Sequence, residues 1–272
     1  MSEQEQAPPG IDPTTPSVAR MYDYFLGGKD NFAADREAAE KIMKVVPDVR
    51  HTARENRAFL GRAVRFLAEM GIHQFIDIGT GLPTSQNVHQ VALAESPGAR
   101  VVYVDNDPIV LVHARALLAD DPRTLVIEGD LRDPKAIIDN PAVQAHIDFG
   151  RPLAIIVCAI LHFIDDDDEA AGIVAHLRSL LPPGGALVLS HGFKGELSEE
   201  TLARAKEIYA LTKGALKVRG REEIGAYFSG LDLVEPGLVH VDSWHPTWAA
   251  EEDPTAPGVL GAVGLVPPDG PA

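Results

Sequence analysis

The feature that most constrains the fold of this chain is a regular alternation of short apolar runs and helical stretches from residue 72 onward. The runs are rich in β-branched residues and span residues 74–78, 100–104, 124–128, 153–158 and 186–190. Helices are predicted between them over residues 84–95, 108–119 and 167–181, with a short one after Pro134. Strands that alternate with helices form βαβ units, in which consecutive strands run parallel. The sequence therefore predicts an α/β fold built on a mostly parallel sheet.

The segments on either side of this alternation complete the predicted organisation. Two more helices are predicted near residues 198–212 and 221–228, and two final strands near residues 231–241 and 259–266. Residues 1–16 carry four prolines and few apolar groups, so burial there cannot offset the entropy that ordering would remove. We therefore predict a flexible tail over residues 1–16, a helical extension over residues 17–71 and a single sheet domain over residues 72–272.

The helical extension is predicted to contain three helices, over residues 17–25, 33–45 and 49–70. Ser17 is the candidate N-cap of the first helix, and Gly27 with Gly28 supplies the positive-φ positions that end it. Apolar residues recur at intervals of three and four in the third helix, which predicts one apolar face packed on the sheet. This face comprises Ala53, Phe59, Leu60, Ala63, Val64 and Leu67.

The balance of charges argues against nucleic acid as a partner. The 272 residues include 24 Lys and Arg against 40 Asp and Glu, and the formal net charge of −16 repels polyphosphate at long range. Five arginines do cluster, but their spacing is interpreted as that of a solvated helix face. They are Arg50, Arg54, Arg57, Arg62 and Arg65.

The sequence also predicts where in the cell the protein lies and whether it binds a membrane or a metal. The longest apolar run, residues 153–161, is far shorter than the ~20 residues of a membrane-spanning helix. The polar start of the chain lacks the basic and apolar regions of a secretory signal. The single cysteine, Cys158, excludes an internal disulfide framework and cannot by itself build a thiolate metal site. We expect a cytoplasmic protein with no membrane partner and no metal.

A glycine-containing turn follows the first predicted strand. Gly79 and Gly81 stand between that strand and the next helix, where a turn lets backbone approach a bound nucleotide. The third glycine of the dinucleotide fingerprint is absent, because Asn87 and Val88 occupy that region. This absence disfavours NAD, while a tight turn that binds nothing remains the alternative.

Two acidic residues follow the next two strands. Asp105 ends the second strand, where a carboxylate can accept hydrogen bonds from both hydroxyls of a ribose. Alternatively, Asp105 or Asp107 caps the helix that begins at Pro108. Asp130 follows the third strand and can accept from an adenine amino group while Leu131 covers the ring. Because these residues follow parallel strands, we expect them at one edge of the sheet.

These motifs resemble class I S-adenosylmethionine-dependent methyltransferases over residues 72–266. The resemblance also rests on the Leu-Leu-Pro-Pro-Gly-Gly segment at residues 180–185. It implies a three-layer Rossmann-like methyltransferase fold with a seven-stranded sheet of order 3-2-1-4-5-7-6 and S-adenosyl-L-methionine as cofactor. It further implies that the two turn glycines border the methionine part and that backbone carbonyls of Ala159 and Ile160 meet the cofactor amine. The cofactor residues expected in this domain are Asp77, Gly79, Thr80, Gly81, Asp105, Asn106, Asp130, Leu131, Ala159 and Ile160.

Residues 19–36 and 56–60 resemble an actinobacterial family of S-adenosyl methyltransferases with largely unassigned substrates. Within residues 19–36, the glycine pair and Lys29 could hold the cofactor carboxylate or cap the pocket. Tyr22 and Tyr24 could contact a sulfonium cation or a substrate ring. The extension is therefore hypothesised to form a lid, and Tyr24, Lys29 and Asn31 are added to the predicted cofactor site. Alternatively, the aromatic residues only fasten a helix to the domain.

The candidate catalytic residue is His162, just past the fourth strand. A histidine there can act as a general base for a hydroxyl. The Leu-His-x-x-Asp pattern is similar to small-molecule O-methyltransferases, some of which use the matching histidine as a base while others use it only to shape the pocket. Both roles stay open.

Three other polar or aromatic clusters have simpler interpretations. Four consecutive acids at residues 165–168 are predicted to cap a helix, because adjacent side chains diverge too far to share a metal. Residues 190–192, Ser-His-Gly, could touch substrate, but no Gly-x-Ser-x-Gly elbow accompanies them. Trp244, His245 and Trp248 either wall an acceptor site or cover the sheet edge.

The function predicted from these observations is methyl transfer from S-adenosyl-L-methionine to the oxygen or nitrogen of a small-molecule acceptor, apolar or aromatic in character. The alternative is a non-catalytic module of the same fold that binds S-adenosylmethionine or S-adenosylhomocysteine.

Overall fold

The computed structural model describes residues 11–83, 86–118, 121–212, 214–245, 253 and 255–268. A parallel sheet forms its centre, with five strands in the order β3-β2-β1-β4-β5. The strands are β1 (Gln74–Ile78), β2 (Arg100–Asp105), β3 (Thr124–Glu128), β4 (Ala154–Cys158) and β5 (Ala186–Phe193). The five predicted strands are confirmed, and the apolar, β-branched runs are buried except at β3, which forms the edge of the sheet.

The C-terminal edge of the sheet is antiparallel. Strand β8 (Gly258–Leu265) pairs antiparallel with β5. The predicted strand over residues 231–241 is divided into β6 (Asp232–Leu233) and β7 (Val239–His240), both antiparallel to β8. Pro236 and Gly237, whose φ is +86°, interrupt the edge between them, since proline has no N–H for the ladder. The order 3-2-1-4-5-8-6 confirms the predicted arrangement, with one strand more than expected.

Helices cover both faces of the sheet, as the predicted three-layer fold requires. The segments after β1 contribute α4 (Val88–Glu95), α5 (Pro108–Leu118), α6 (Pro134–Ile138), α7 (Pro141–His146), α8 (Asp167–Ser179), α9 (Glu199–Tyr209) and α10 (Arg221–Ala226). Asp166 Oδ1 accepts a hydrogen bond of 2.8 Å from the Glu169 N–H, so the acidic run caps α8 as predicted. Residues 84, 85 and 119, included in the predicted helices, lie outside the described residues.

Three helices precede the sheet: α1 (Val18–Leu26), α2 (Ala33–Val45) and α3 (Val49–Glu69). The apolar face of α3 packs on the sheet, where Phe59 and Leu67 join a core with Phe75. Helices α1 and α2 share a separate small core with α9. The hydroxyl of Ser17 donates to Asp107 and makes no cap bond to α1. The extension is thus joined to the sheet domain in two places. Helix α3 packs on the sheet, and helices α1 and α2 pack on α9.

Residues 11–16, which belong to the predicted tail, contact the rest of the chain. Arg20 Nη2 donates to the carbonyl oxygens of Asp12, at 3.2 Å, and Thr15, at 2.6 Å. Its Nε lies 2.7 Å from Asp35 Oδ2, and both side chains are buried. These hydrogen bonds hold the segment together with the packing of Ile11 against Leu82, Ile109 and Val110. Residues 1–10 lie outside the described residues.

Candidate functional site

A cavity of about 510 Å³ lies at the carboxyl ends of the parallel strands. Its volume falls in the range of roughly 300–1,000 Å³ that is typical of small-molecule sites. Ten of the thirteen predicted cofactor residues line it: Asp77, Gly79, Thr80, Gly81, Asp105, Asn106, Asp130, Leu131, Ala159 and Ile160. The parallel topology brings these residues together, because each follows or ends a strand at the same edge.

The two glycines after β1 have different functions in the cavity wall. Both have positive φ, +72° at Gly79 and +66° at Gly81. A Cβ on Gly79 would lie 2.7 Å from Ile160 Cγ1, so this glycine permits close packing. A Cβ on Gly81 would have no atom within 4 Å. Gly81 therefore faces open space that a ligand can enter.

Asp105 presents its carboxylate to the cavity beside Gly81. Its Oδ2 accepts from the Gly81 N–H and its Oδ1 from the Asp107 N–H, each at 2.9 Å. Asp105 is 8% exposed, and burial raises its pKa to about 6. Asp107 Oδ1 accepts from the Ile109 N–H at 3.0 Å and caps α5. Asp107 therefore caps the helix and leaves the Asp105 carboxylate facing the cavity.

Asp77 and Arg57 both lie in the cavity wall, close enough for their charges to interact. Burial raises the pKa of Asp77 to about 6, although the Thr80 hydroxyl, 2.9 Å from Oδ2, and the Arg57 guanidinium act to lower it. Arg57 comes from α3 and lies 3.4 Å, Nη2 to Oδ1, from Asn87. It therefore supplies positive charge to a cavity that otherwise contains several carboxylates.

Arg57 shows that the solvated arginine face expected on α3 was a wrong interpretation. Arg50 Nε donates to the Phe25 carbonyl at 3.2 Å, and Arg62 Nε donates to the Trp244 carbonyl at 2.8 Å. Only Arg54 and Arg65 of the five are exposed. The physical reason is that α3 lies between the sheet on one side and α1 with α2 on the other, so more than its apolar stripe is covered.

Asp130 lies at the more open rim of the cavity. Its Oδ2 accepts from Asn106 Nδ2 at 3.0 Å, and its Oδ1 accepts from the Arg132 N–H at 2.9 Å. Burial acts to raise the pKa of Asp130, but these bonds and the Arg132 charge hold it below its usual value. The carboxylate therefore stays ionised as an acceptor, with the buried Leu131 beside it.

The N-terminal segment supplies one side of the cavity, and of the residues predicted there only Tyr22 is among those that line it. The lining includes Ile11, Asp12, Thr15, Pro16, Val18 and Tyr22. Tyr24 instead directs its hydroxyl to Glu40 Oε1 at 3.2 Å, and Lys29 is exposed. Neither residue lines the cavity.

Asn31 also lies outside the cavity lining, because its loop folds back on α1. Asn31 Nδ2 donates to Asp23 Oδ2 at 2.8 Å, and the Asp30 N–H donates to the same oxygen at 3.0 Å. A Cβ on Gly28 would lie only 1.9 Å from Asp23 Oδ1. The glycine pair therefore ends α1 and admits the Asp23 carboxylate, and it does not open toward the cavity.

Comparison with known families agrees with this geometry. The family model described as S-adenosyl methyltransferase matches residues 4–267. The chain belongs to this S-adenosyl methyltransferase family. S-adenosyl-L-methionine is the cofactor of the family and of this methyltransferase.

Solved structures extend the comparison over almost the whole chain. A candidate methyltransferase of Thermobifida fusca YX is 41% identical, with a TM-score of 0.88 over 96% of this chain and 98% of that one. A DUF574 family protein of Streptomyces avermitilis MA-4680 is 42% identical, with a TM-score of 0.87 over 94% and 99% of the two chains. An O-methyltransferase family protein of Burkholderia thailandensis, 16% identical with a TM-score of 0.50 over 82% and 61%, shares the fold. No curated protein sequence matches this methyltransferase.

The cavity residues fit an adenosyl cofactor on their own chemistry. A ribose needs paired acceptors in a sheltered position, and Asp105 offers a nearly buried carboxylate whose two oxygens each accept one backbone bond. An adenine amino group needs an acceptor, and Asp130 provides one at the rim. The open volume at Gly81 lies beside both of these strand ends. The donor and acceptor set is therefore compatible with the family's cofactor.

His162 of this methyltransferase does not line the cavity. Its Nδ1 accepts from the Gly192 N–H at 3.1 Å, and the ring lies 5.5 Å from that of His191. The side chain is 9% exposed, and burial lowers the pKa of His162 well below its usual value. Of the two roles that the sequence left open, this placement favours shaping the pocket.

His191 belongs to a buried polar network behind the cavity. Its Nε2 accepts from Arg219 Nη1 at 3.0 Å, and the Arg219 guanidinium also contacts Asp167 Oδ1. Arg219 is 1% exposed, and burial lowers the pKa of His191 to about 4. This network attaches the chain before α10 to the N-terminus of α8.

Trp244 covers one side of the sheet. It is fully buried, meets the Phe59 ring edge-on at 5.4 Å and stacks on His245 at 4.2 Å. Of the two roles that the sequence left open for this region, Trp244 and His245 have the packing role, whereas Trp248 lies outside the described residues.

Among the described residues, no three His, Cys, Asp or Glu side chains are grouped to hold a metal ion, and no helix has the length and apolar character to span a bilayer.

Proposed function

We propose that this methyltransferase transfers the methyl group of S-adenosyl-L-methionine to an oxygen or nitrogen of a small-molecule acceptor. The observation that carries the proposal is the convergence of Gly79, Gly81, Asp105 and Asp130 around one cavity. In this proposal Asp105 accepts from the ribose hydroxyls, and Asp130 accepts from the adenine amino group.

The amino-acid end of the cofactor is proposed to bind between β1, β4 and α3. The carbonyl groups of Ala159 and Ile160 accept from its ammonium, and Arg57 donates to its carboxylate. Arginine suits this role because its planar guanidinium matches a carboxylate with two parallel hydrogen bonds. Arg57 takes the place that the sequence proposed for Lys29, whose side chain is exposed.

When bound, the cofactor supplies an already activated methyl group on a sulfonium. The protein then accelerates transfer mainly by holding the acceptor in line and by excluding water. The N-terminal segment fits the second task, because residues 11–12, residues 15–20 and Tyr22 line the cavity. This keeps the lid hypothesis for the extension, with residues 11–22 as the covering part.

The acceptor is proposed to be apolar or aromatic and small. Val18, Tyr22, Phe163 and Ile164 line the cavity and offer apolar and aromatic contact. The net charge of −16 disfavours a nucleic acid acceptor. We also propose a cytoplasmic location, for which the single cysteine of the sequence is the support.

Labelled methyl donor tests this function directly. The full chain is incubated with it and a panel of small apolar and aromatic alcohols, phenols and amines, and product is followed by mass. We expect transfer to at least one class, and S-adenosylhomocysteine should raise the melting temperature while NAD does not. Binding without transfer across the panel would support the non-catalytic alternative. Absence of any thermal shift with both the donor and its demethylated product would contradict the proposed site.

The placement of His162 predicts that it is dispensable for the chemistry. We expect His162→Asn to keep most of the turnover, because Asn Oδ1 can replace Nδ1 as acceptor for the Gly192 N–H. Its melting temperature should fall, since asparagine fills less of the buried site. The test is kcat as a function of pH, together with thermal unfolding. A loss of kcat of about 100-fold or more, the size of a general-base contribution, would instead identify His162 as the base.

A further inference from the structure

Ala159 has an unusual backbone conformation in the cavity wall. Its φ is +53°, in the left-handed region that a residue with a Cβ seldom adopts. It directly follows β4 and lines the cavity with Ile160. Residues held in such conformations persist only where their surroundings enforce them.

The surroundings that hold Ala159 form a continuous chain of hydrogen bonds. The Ala159 N–H donates to Ser190 Oγ at 3.0 Å and to the Ser190 carbonyl at 3.1 Å, and the Ser190 hydroxyl donates to Asn56 Oδ1 at 2.6 Å. Asn56 Nδ2 donates to the Tyr22 hydroxyl at 3.0 Å, which donates to the Ala53 carbonyl at 3.0 Å. We call this the Tyr22–Ala159 chain.

Ser190, Asn56 and Tyr22 each accept a hydrogen bond from one neighbour in the Tyr22–Ala159 chain and donate one to the next. All the bonds therefore run in the same direction. Ser190 is 0% exposed and Asn56 is 3% exposed, so water cannot easily replace a lost partner. The chain joins β4, β5, α3 and α1, which are far apart in sequence. It therefore ties the turn after β4 to the helical extension.

The turn that the chain holds also determines the shape of the glycine turn. The Ile160 side chain occupies the space where a Cβ of Gly79 would lie, 2.7 Å from Cγ1. A change of the Ala159 backbone would move Ile160 against the neighbouring turn. The conformation of one residue thus affects two segments of the cavity wall.

We infer that Asn56 and Ser190 are positioning residues for cofactor binding, which hold Ala159 in its left-handed conformation through the Tyr22–Ala159 chain. The inference rests on the proposed function, in which the Ala159 and Ile160 carbonyls meet the cofactor amine. Ser190 lies outside the cavity lining, so it acts through the two lining residues that its hydroxyl bonds, Ala159 and Asn56.

The experiment measures S-adenosylhomocysteine affinity of the full chain by calorimetry. We expect Ser190→Ala to weaken binding about 10-fold, because Ala159 then keeps only the bond to the Ser190 carbonyl and can relax to a more favourable φ. Adding Ala159→Gly should restore the affinity, since glycine adopts positive φ without help. The melting temperature of the double variant should stay low, because Asn56 still lacks its donor. If Ser190 has only a structural role, Ala159→Gly will not restore the affinity for S-adenosylhomocysteine.

Val188→Ala is the matched control, because it removes buried side-chain volume from the same strand without touching the chain of hydrogen bonds. It should lower the melting temperature and leave the affinity at the wild-type level. Unchanged affinity of Ser190→Ala, or weakened affinity that Ala159→Gly fails to restore, would overturn the inference. If Ser190→Ala does not fold, Ser190→Cys replaces it, since a thiol is only a weak donor and acceptor. Wild-type protein that binds no S-adenosylhomocysteine would overturn the proposed function itself.

Discussion

Asp105→Asn is expected to weaken S-adenosylhomocysteine binding about 100-fold, the largest effect of a single side-chain change in the cavity. The carboxylate can accept from two ribose hydroxyls while holding the Gly81 and Asp107 N–H groups. An amide keeps one acceptor oxygen and turns an NH₂ group toward donors. Isothermal calorimetry with wild type and variant measures the change.

The matched control for Asp105 is Asp133→Asn. Asp133 caps α6 by accepting from the Ala136 N–H at 3.0 Å and does not line the cavity. Asparagine is an equally good N-cap residue, so both stability and affinity should stay close to wild type. If Asp105→Asn bound the cofactor product as tightly as Asp133→Asn, the assignment of the ribose to Asp105 would be wrong.

The raised pKa of Asp105 adds a pH dependence to this prediction. Burial raises the pKa of Asp105, and that of Asp77, to about 6 in the protein without ligand. A ribose that donates to the ionised carboxylate binds fully above that pH. Affinity should then fall as the pH decreases through about 6, because protonation competes with binding. In Asp105→Asn the affinity should depend less on pH, and the pH dependence that remains should come from Asp77.

Arg57→Gln is expected to weaken S-adenosylhomocysteine binding by roughly 10- to 100-fold, the contribution of hydrogen bonds to a charged group. The reason is that the guanidinium lies in the cavity wall near Asp77, where the amino-acid end of the cofactor is proposed to bind. The nucleoside 5′-methylthioadenosine lacks the amino-acid group. Its affinity should therefore be nearly the same for wild type and Arg57→Gln.

This ligand pair separates a carboxylate contact from general damage to the cavity. Arg54→Gln, on the exposed part of the same helix, removes the same charge and should change neither affinity. Equal losses for S-adenosylhomocysteine and methylthioadenosine in Arg57→Gln would show that Arg57 supports the cavity as a whole and does not bind the carboxylate.

Much of the cofactor site could be predicted from the sequence because its residues follow strands directly. Asp105, Asp130 and Ala159 come at or just after the ends of apolar runs. Parallel strands connected by helices bring their carboxyl ends to one edge, so local position in the sequence gives approximate position in space. The same logic predicted the two turn glycines, whereas the order of the central sheet was implied by the resemblance to class I methyltransferases.

The N-terminal part of the site could not be predicted in the same way. The resemblance drew attention to residues 19–36, yet Tyr24, Lys29 and Asn31 lie away from the cavity lining while residues 11–16 contribute to it. Asp23 holds the loop of Lys29 and Asn31 on α1 through hydrogen bonds that no periodicity indicates. Proline-rich composition predicted a tail and gave no sign of the contacts that Arg20, paired with Asp35, makes with residues 12 and 15.

By itself the sequence determined the α/β class and the acids at the strand ends, because strand periodicity and parallel topology act over short distances. The order of the central strands followed from the resemblance to class I methyltransferases. Only the tertiary structure decided which polar residues of α1 and α3 face the cavity, including Tyr22, Asn56 and Arg57. A helical repeat marks the apolar face that packs on the sheet. It does not indicate which other face a second layer covers, because that depends on contacts between residues far apart in the chain.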